Sequence, residues 1–248
     1  IFLIGAIQFV NVLDFVMVMP LGPDFASALG ISTSRIGLVG GSYTAAAAVA
    51  GVIGSLFFDR FDRRPALAVT MLGLVLGTAL GGLATGLSTL LLARVVAGMF
   101  GGPATSLSLA VIADTIPPVR RGRAMGAVMG AFSIASVLGV PAGLELARHY
   151  SWRAPFFAVA GLGLLLAMTA VFFMPAMRGH LSGPRPQGPK PKLLDSVTAV
   201  ALANTALIMS GVFAVVPNIS AFVQHNMGYP REKIGLLYLV GGIASFVA

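Results

Sequence analysis

The chain has 248 residues, of which 57% are hydrophobic and 10% are charged. Ordinary soluble domains carry about 25% charged residues, so this composition excludes a soluble globular protein and indicates a polytopic membrane protein. The lack of cysteine excludes disulfides and thiolate chemistry. The net charge of +8 comes mostly from short loops, which argues against a nucleic-acid-binding face.

Apolar runs long enough to cross a bilayer recur along the chain. A crossing takes about 20 helical residues at a rise of ~1.5 Å each. Because Ile1 opens inside an apolar run without an initiator Met, we expect a trimmed start rather than a cleavable leader. We predict eight spans, the last incomplete, at residues 1–20, 35–58, 65–83, 87–113, 122–147, 154–174, 196–223 and 234–248.

The basic residues are distributed unequally between the two sets of loops. The loops 59–64, 114–121 and 175–195, extended by Arg123, hold ten Lys and Arg residues, whereas the opposite side holds five, counting Arg35 at the start of the second span. Cytoplasmic loops are the ones enriched in Lys and Arg. We therefore expect a multi-pass protein of the inner (cytoplasmic) membrane whose amino terminus is cytoplasmic.

The longest predicted connection separates two parts of the chain. Residues 175–195 are rich in Pro and Gly, which indicates an extended cytoplasmic linker. Residues 228–236 repeat the loop pattern of residues 30–38 at an offset of 198 (228 − 30). We predict a six-helix N-terminal bundle at 1–174 and the first two helices of a truncated second bundle at 196–248, about two thirds of a protein with two similar halves.

Four short motifs lie in order along the first six spans. They are Asp59-Arg60-x-x-Arg63-Arg64 in the hairpin after the second span, Arg94 with Gly98 in the fourth, Gly139-x-Pro141-x-Gly143 in the fifth, and Trp152-Arg153-x-x-Phe156 before the sixth. Together they resemble the major facilitator superfamily, in its twelve-span drug:proton antiporter branch. The chain departs from the family pattern at Ser55, Phe57 and Asp62, where the family has Gly, Leu and Gly, and at Val140, which replaces a Gly.

This resemblance implies a fold and a function. The expected fold is an all-α polytopic membrane protein with the six-helix N-terminal bundle of the superfamily and the first two helices of the C-terminal bundle. The implied function is proton-coupled efflux, by alternating access, of a small amphipathic or lipophilic compound. The alternative is a facilitator or proton symporter for a sugar-like or amino-acid-like metabolite. The expected partners of this monomer are the substrate, protons and the lipid bilayer.

Two charged residues are predicted to lie inside spans. Asp14 lies deep in the first, and a carboxylate there costs ~2.5–3.5 kcal/mol on insertion scales, so it should face an interior cavity. A proton-coupling role is our first interpretation and a structural hydrogen bond is the alternative. The resemblance implies that Arg94 of the fourth span lies near Asp14 and lowers its proton affinity in one conformation, although bonds to backbone carbonyls are also open.

Further candidate residues follow from the family's mechanism. Asp59, Arg63, Asp114 and Arg121 are expected to form a conformational latch, with simple topology anchoring as the alternative; Asp62 leaves the partner of Arg63 open. Gly139, Pro141 and Gly143 are expected to form a helix-packing surface. Candidates for the substrate cavity, each of which could instead face lipid, are Gln8, Asn11, Met17, Met19, Asn204, Met209, Ser210 and Asn218.

Two other functional classes are disfavoured. The sequence has no H-E-x-x-H, G-x-S-x-G or phosphate-binding Gly-rich motif, and its three histidines fall in predicted loops without metal-ligand spacing. We therefore predict that it is not an enzyme and holds no metal or cofactor. A channel would need a ring or filter repeated by oligomer symmetry, whereas this chain places unlike charges in different spans.

Overall fold

The computed structural model describes residues 2–178 and 195–247. Within these ranges every regular element is helical. The helices are α1 (Phe2–Met17), α2 (Gly22–Leu29), α3 (Ile36–Phe57), α4 (Arg63–Gly82), α5 (Leu87–Thr115), α6 (Pro118–Met129), α7 (Ala131–Ile134), α8 (Val140–His149), α9 (Ala154–Phe173), α10 (Ser196–Met227) and α11 (Ile234–Val247). A π-helix, Ala135–Gly139, joins α7 to α8.

Several of these helices are long and apolar enough to span a membrane. In the described ranges they are α3, α4, α5, α9 and the continuous run from α6 to α8. The pair α1 and α2, bent by 57°, supplies a sixth span if it is counted as one broken helix. An all-α architecture with apolar helices of membrane-spanning length, as predicted, is therefore confirmed in the described ranges.

The structure corrects the predicted end of the first span. A loop was expected at residues 21–34, but α2 occupies Gly22–Leu29. Pro23 lies in its first turn, where the missing N–H costs little, so proline here begins a helix instead of marking a loop. Gly30 then ends α2 with a φ of 63°, a left-handed conformation that glycine adopts without strain.

The loop pattern repeated in the sequence also recurs in the backbone. Gly228 ends α10 with the same φ of 63° as Gly30, which places the end of α10 at Met227 instead of the predicted residue 223. A 3₁₀ turn follows each glycine, Thr33–Arg35 in one case and Arg231–Lys233 in the other. The next helices, α3 and α11, begin 198 residues apart (234 − 36).

The six-span bundle is centred on α5. This helix packs along both α3 and α4, and α4 packs in turn on α9. Small residues allow the close approach: a Cβ at Gly98 or Gly102 would collide with the carbonyl oxygens of Tyr43 and Ala47 on α3. Membrane helices use small residues in this way to pack backbone against backbone.

An aromatic cluster closes one end of the bundle. The single tryptophan, Trp152, is buried, with ring centroids 6.3 Å from Phe25 and 5.9 Å from Phe156. The Arg153 guanidinium carbon lies 4.8 Å from the Trp152 ring centroid. Because Phe25 belongs to α2, we call this the α2 end of the bundle; the opposite end, which holds the turn between α3 and α4, is the hairpin end.

The last two helices contact the bundle unequally. α11 packs on α8 and on the π-helix, where a Cβ at Gly242 would lie 2.9 Å from the Val137 nitrogen. Near the end of α10, Ser220 Oγ donates to the Pro20 carbonyl at 3.3 Å. The first half of α10, by contrast, is exposed from Ser196 to Gly211.

Candidate functional site

The two charged residues predicted to lie inside spans meet in the structure. Asp14 is 0% exposed and Arg94 is 1% exposed. Arg94 Nη1 donates to both carboxylate oxygens of Asp14, at 2.9 and 3.1 Å, and Nη2 lies 3.4 Å from the Asp14 backbone carbonyl. Arg94 Nε has no hydrogen-bond partner among the described residues. The site is thus an ion pair removed from solvent.

Thr78, on α4, adds a third helix to this site. Its Oγ1 donates to Asp14 Oδ1 at 2.7 Å and lies 2.8 Å from the Leu74 carbonyl. One hydroxyl hydrogen can serve only one of these acceptors at a time. Protonation of Asp14 would therefore let Thr78 turn to the Leu74 carbonyl without losing a hydrogen bond.

Tyr43, on α3, covers the ion pair from a fourth helix. Its ring centroid lies 4.5 Å from the Arg94 guanidinium carbon, within the range of a cation–π contact. The same ring stacks on Phe15, with centroids 5.3 Å apart and planes 29° apart. Its hydroxyl donates to Asn11 Oδ1 at 2.9 Å. Tyr43 thus contacts both the cation and the polar residue one turn before Asp14.

Asn11 connects this group to α5. Its Nδ2 donates to the Gly101 carbonyl at 2.9 Å and to Thr105 Oγ1 at 2.8 Å. Asn11 and Asp14 are three residues apart and so lie on one face of α1. A pocket of about 140 Å³ opens beside them, lined by Asn11, Val12, Phe15, Tyr43, Ala47, Gly101, Gly102 and Thr105. We call it the Asn11 pocket.

The remaining cavity candidates do not gather at the Asn11 pocket. Gln8, Met17 and Met19 are buried on or just after α1. Met17 lines a different groove with Gly143 and Pro155. The four candidates on α10 are exposed; they are Asn204, Met209, Ser210 and Asn218. Ser210 and Asn218 donate to backbone carbonyls of α10 itself.

The predicted latch residues lie at the hairpin end. Arg63 Nε donates to Asp114 Oδ2 at 3.1 Å, and Arg63 Nη1 to the Phe58 carbonyl at 3.3 Å. Arg121 Nε donates to the Ile116 carbonyl at 2.9 Å. The side chain of Asp59 lies outside what the structure describes. The structure therefore brings together Arg63 and Asp114 from the predicted set.

Asp62, which left the partner of Arg63 open, has partners of its own. It caps α4 through the Arg64 N–H at 3.0 Å, and it also accepts from the Met177 N–H at 3.0 Å and from Arg178 Nε at 3.1 Å. Its partial burial alone would raise its pKa, but these donors outweigh that effect and hold the pKa of Asp62 below its ordinary value. Asp62 thereby ties residues 177–178 to the start of α4.

The Gly-x-Pro-x-Gly motif lies between two helices. A Cβ at Gly139 would lie 2.5 Å from Leu13 Cδ1 on α1. On the other side, the Cβ position of Gly235 on α11 is 3.7 Å from Pro141 Cα. The π-helix ends at Gly139, two residues before Pro141. A proline removes an intrahelical bond, and such a site favours local re-registration of the helix.

An unpredicted ion pair joins the two parts of the chain at the α2 end. Arg231 Nε and Nη2 donate to the two carboxylate oxygens of Asp24 at 3.0 and 2.6 Å. The side chains are 24% and 28% exposed. The sequence places Asp24 and Arg231 in predicted loops on the same side of the membrane, but no pattern in it indicates that they pair. Sequence reasoning also missed Tyr43 and Thr78, which lie inside apolar runs and carry no charge.

Comparison with known proteins gives a family and several relatives. The family model described as Major Facilitator Superfamily matches residues 4–248. A chloramphenicol resistance protein of Streptomyces lividans is 28% identical over 240 residues, which are 93% of this chain and 59% of that protein. The purine ribonucleoside efflux pump NepI of Escherichia coli is 30% identical over 242 residues, which are 95% of this chain and 59% of that protein.

Solved structures share the fold. An inward-facing, occupied bacterial homolog of the human lysosomal transporter Spinster has a TM-score of 0.78 at 20% identity, covering 99% of this chain and 59% of that chain. A D-xylose-proton symporter has a TM-score of 0.67 at 18% identity, covering 98% and 65%. The chain thus spans about three fifths of the length of the curated relatives that it matches.

Proposed function

Because the chain belongs to the major facilitator superfamily, we propose that the whole protein is a secondary active transporter that exchanges protons for a small amphipathic or lipophilic compound by alternating access. The observation that carries this proposal is the Asp14–Arg94 pair, buried between α1 and α5. The relatives named for chloramphenicol resistance and for purine ribonucleoside efflux support outward transport.

The proposed proton site uses the chemistry of the pair. Ionised Asp14 compensates Arg94, which stays charged at any physiological pH. When Asp14 takes up a proton, Arg94 loses its counter-charge, and an uncompensated buried charge costs ~3–5 kcal/mol. Proton uptake therefore drives Arg94 toward another partner or toward water. That movement is the step that links the proton to a change of helix packing.

The rest of the proposed machinery surrounds this step. Gln8, Asn11 and the α10 residues Asn204 and Ser210 are the polar groups we assign to the substrate cavity. We assign Arg63 and Asp114 to the conformational latch, together with Asp59 and Arg121. We assign the Gly139–Gly143 motif to the surface on which α11 moves.

The proposed setting follows the distribution of basic residues. The protein lies in the inner membrane as a monomer, with its amino terminus and the predicted linker 175–195 in the cytoplasm. Residues 179–194 of that linker are outside the described ranges. The segments 1–174 and 196–248 are assigned to the two halves whose relative rotation opens the cavity to alternate sides.

Proton release tests this function. Chloramphenicol is added to the detergent-solubilised protein in weak buffer at a series of pH values down to pH 5, so that protonated Asp14 is sampled, and both ligand binding and the pH change are recorded. We expect the wild type to release protons on binding and Asp14→Asn to release none. Glu145→Gln is the control, because Glu145 is exposed and pairs with Arg148 on the surface.

Each other outcome selects a different function. Binding without proton release from the wild type contradicts proton coupling and favours a facilitator. Proton uptake on binding favours a symporter. If chloramphenicol does not bind, the same measurement is made with a purine ribonucleoside.

A further inference from the structure

The proposed proton site includes a buried contact between the Tyr43 ring and Arg94. We infer that Tyr43 is a positioning residue: its ring holds the Arg94 guanidinium on Asp14, so that loss of the ring makes Asp14 easier to protonate. This inference rests on the proposed function, because it concerns the same carboxylate.

The hydrogen bonds of Arg94 leave room for such a role. The described bonds all go to Asp14, through Nη1 and Nη2, and Nε has no partner among the described residues. A guanidinium anchored at one end can swing away from a carboxylate. The Arg94 guanidinium carbon lies over the Tyr43 ring, 4.5 Å from its centroid, and such cation–π contacts are worth more when water is excluded.

Tyr43 is itself held in place on two sides. Its ring stacks on Phe15, and its hydroxyl donates to Asn11, which is bonded to the Gly101 carbonyl and to Thr105. The α3 backbone at Tyr43 lies so close to α5 that a Cβ at Gly98 would collide with the Tyr43 carbonyl. The ring therefore cannot leave Arg94 without breaking contacts on α1 and α5.

Few other ionisable groups face Asp14. Arg94 comes from α5 and Tyr43 from α3, whereas α4 contributes the neutral Thr78. The packed helix α9 has no ionisable residue between Ala154 and Phe173, and the run from α6 to α8 has none between residues 124 and 144. Asp24, on α2, is paired with Arg231. A change in the protonation of Asp14 is thus attributable to the Arg94 contact.

Tyr43 is also a wall of the Asn11 pocket. Tyr43 lines the pocket together with Asn11, and its ring centroid lies 4.5 Å from the Arg94 guanidinium carbon of the ion pair. Tyr43 is therefore the contact shared by the pocket and the proposed proton site.

Carbodiimide labelling tests the inference without a transported ligand. Dicyclohexylcarbodiimide reacts with protonated, buried carboxyl groups, and labelling of the Asp14 peptide is followed by mass spectrometry between pH 5 and 9. The full chain in detergent is compared with Tyr43→Phe, which keeps the aromatic face, and with Tyr43→Leu and Tyr43→Met, which remove it. Tyr150→Leu is the control, because Tyr150 is 79% exposed.

We expect labelling of Tyr43→Leu or Tyr43→Met at neutral pH to rise about tenfold, with the pH profile displaced upward by about one unit. Tyr43→Phe should stay within about threefold of the wild type. An unchanged pH profile in the folded Leu or Met variant overturns the inference and leaves the proposed function standing. If Asp14 is not labelled at any pH in the wild type, both the proton site and its positioning residue are rejected.

Discussion

Thr78 is the neutral residue closest to the proposed chemistry, because its hydroxyl donates to the Asp14 carboxylate at 2.7 Å. Replacing it with Val keeps the shape and removes the donor. Hydrogen bonds to buried charged groups contribute about 1.5–3 kcal/mol, so we expect the free energy of unfolding to fall by about that amount. The measurement is denaturant unfolding in detergent micelles.

The same helix provides a matched control for this substitution. Thr70 is equally buried on α4, but its hydroxyl donates only to the Leu67 carbonyl at 2.9 Å in the described contacts. Thr70→Val should cost less than Thr78→Val, and Thr78→Ser should recover most of the loss. Equal losses at Thr70 and Thr78 would contradict a specific role for the hydroxyl beside Asp14.

Charge explains which residues of the site could be found from sequence. Asp14 and Arg94 were identified because an ionised group in hydrocarbon is costly, so its presence in an apolar run is a signal in itself. Tyr43 and Thr78 carry no such cost and are common in membrane helices. Their roles depend on which faces of α3 and α4 meet α1, and one sequence does not specify that packing.

The junction of α4 with residues 177–178 is the element-scale feature that pH can test. The pKa of Asp62 is held below its ordinary value in the folded protein, so its contribution to stability is present above the ordinary carboxyl pKa. That contribution is lost as the pH falls through the lowered value. We expect hydrogen-exchange protection of the Met177 N–H, corrected for intrinsic rates, to be lost on acidification.

Asp62→Asn provides the comparison for this junction. The amide keeps one oxygen acceptor but does not titrate in this range, so protection at Met177 should be weaker and independent of pH. Protection that falls equally with pH in both proteins would assign the acid effect to another group.

The Asp24–Arg231 pair ties α2 to the turn before α11, and the alternating access that we propose would require such contacts between the two assigned halves to part. Because the chain has no cysteine, a pair of cysteines at 24 and 231 can be joined by a short bifunctional thiol reagent. We expect the joined protein to lose counterflow in proteoliposomes and to regain it when a cleavable linker is cut.

A second cysteine pair controls for the chemistry of this experiment. Cysteines in place of Glu145 and Arg148, both on α8, can be linked without joining the halves. That protein should transport at the unlinked rate. Full counterflow in the protein linked between 24 and 231 would show that this contact does not have to open.

Helix length was predictable from sequence where apolar runs end at charges. The predicted spans 65–83 and 154–174 lie within a few residues of α4 and α9, because Arg63, Arg64 and Arg153 bound those runs. By contrast, α2 was missed. Pro23 suggests a loop, whereas in the structure it lies in the first turn of α2.

At the scale of the whole molecule, the sequence predicted the class of fold but not the contacts between its parts. The superfamily fold was identified from four motifs whose residues are polar, small or aromatic at fixed spacings. The offset of 198 recurs in the left-handed glycines that end α2 and α10. The packing of α11 on the π-helix depends on how the shapes of the two helix surfaces fit, and this fit cannot be predicted from a single sequence.

The position of the only tryptophan has a practical consequence. Indole emission responds to polarity and to neighbouring cations, and Trp152 is enclosed by Phe25, Phe156 and the Arg153 guanidinium at the end where α2 meets Arg231. The fluorescence of Trp152 can therefore report on the α2 end of the bundle. If the α2 end opens, water would reach the Trp152 indole, and its emission maximum would move to longer wavelength without an attached dye.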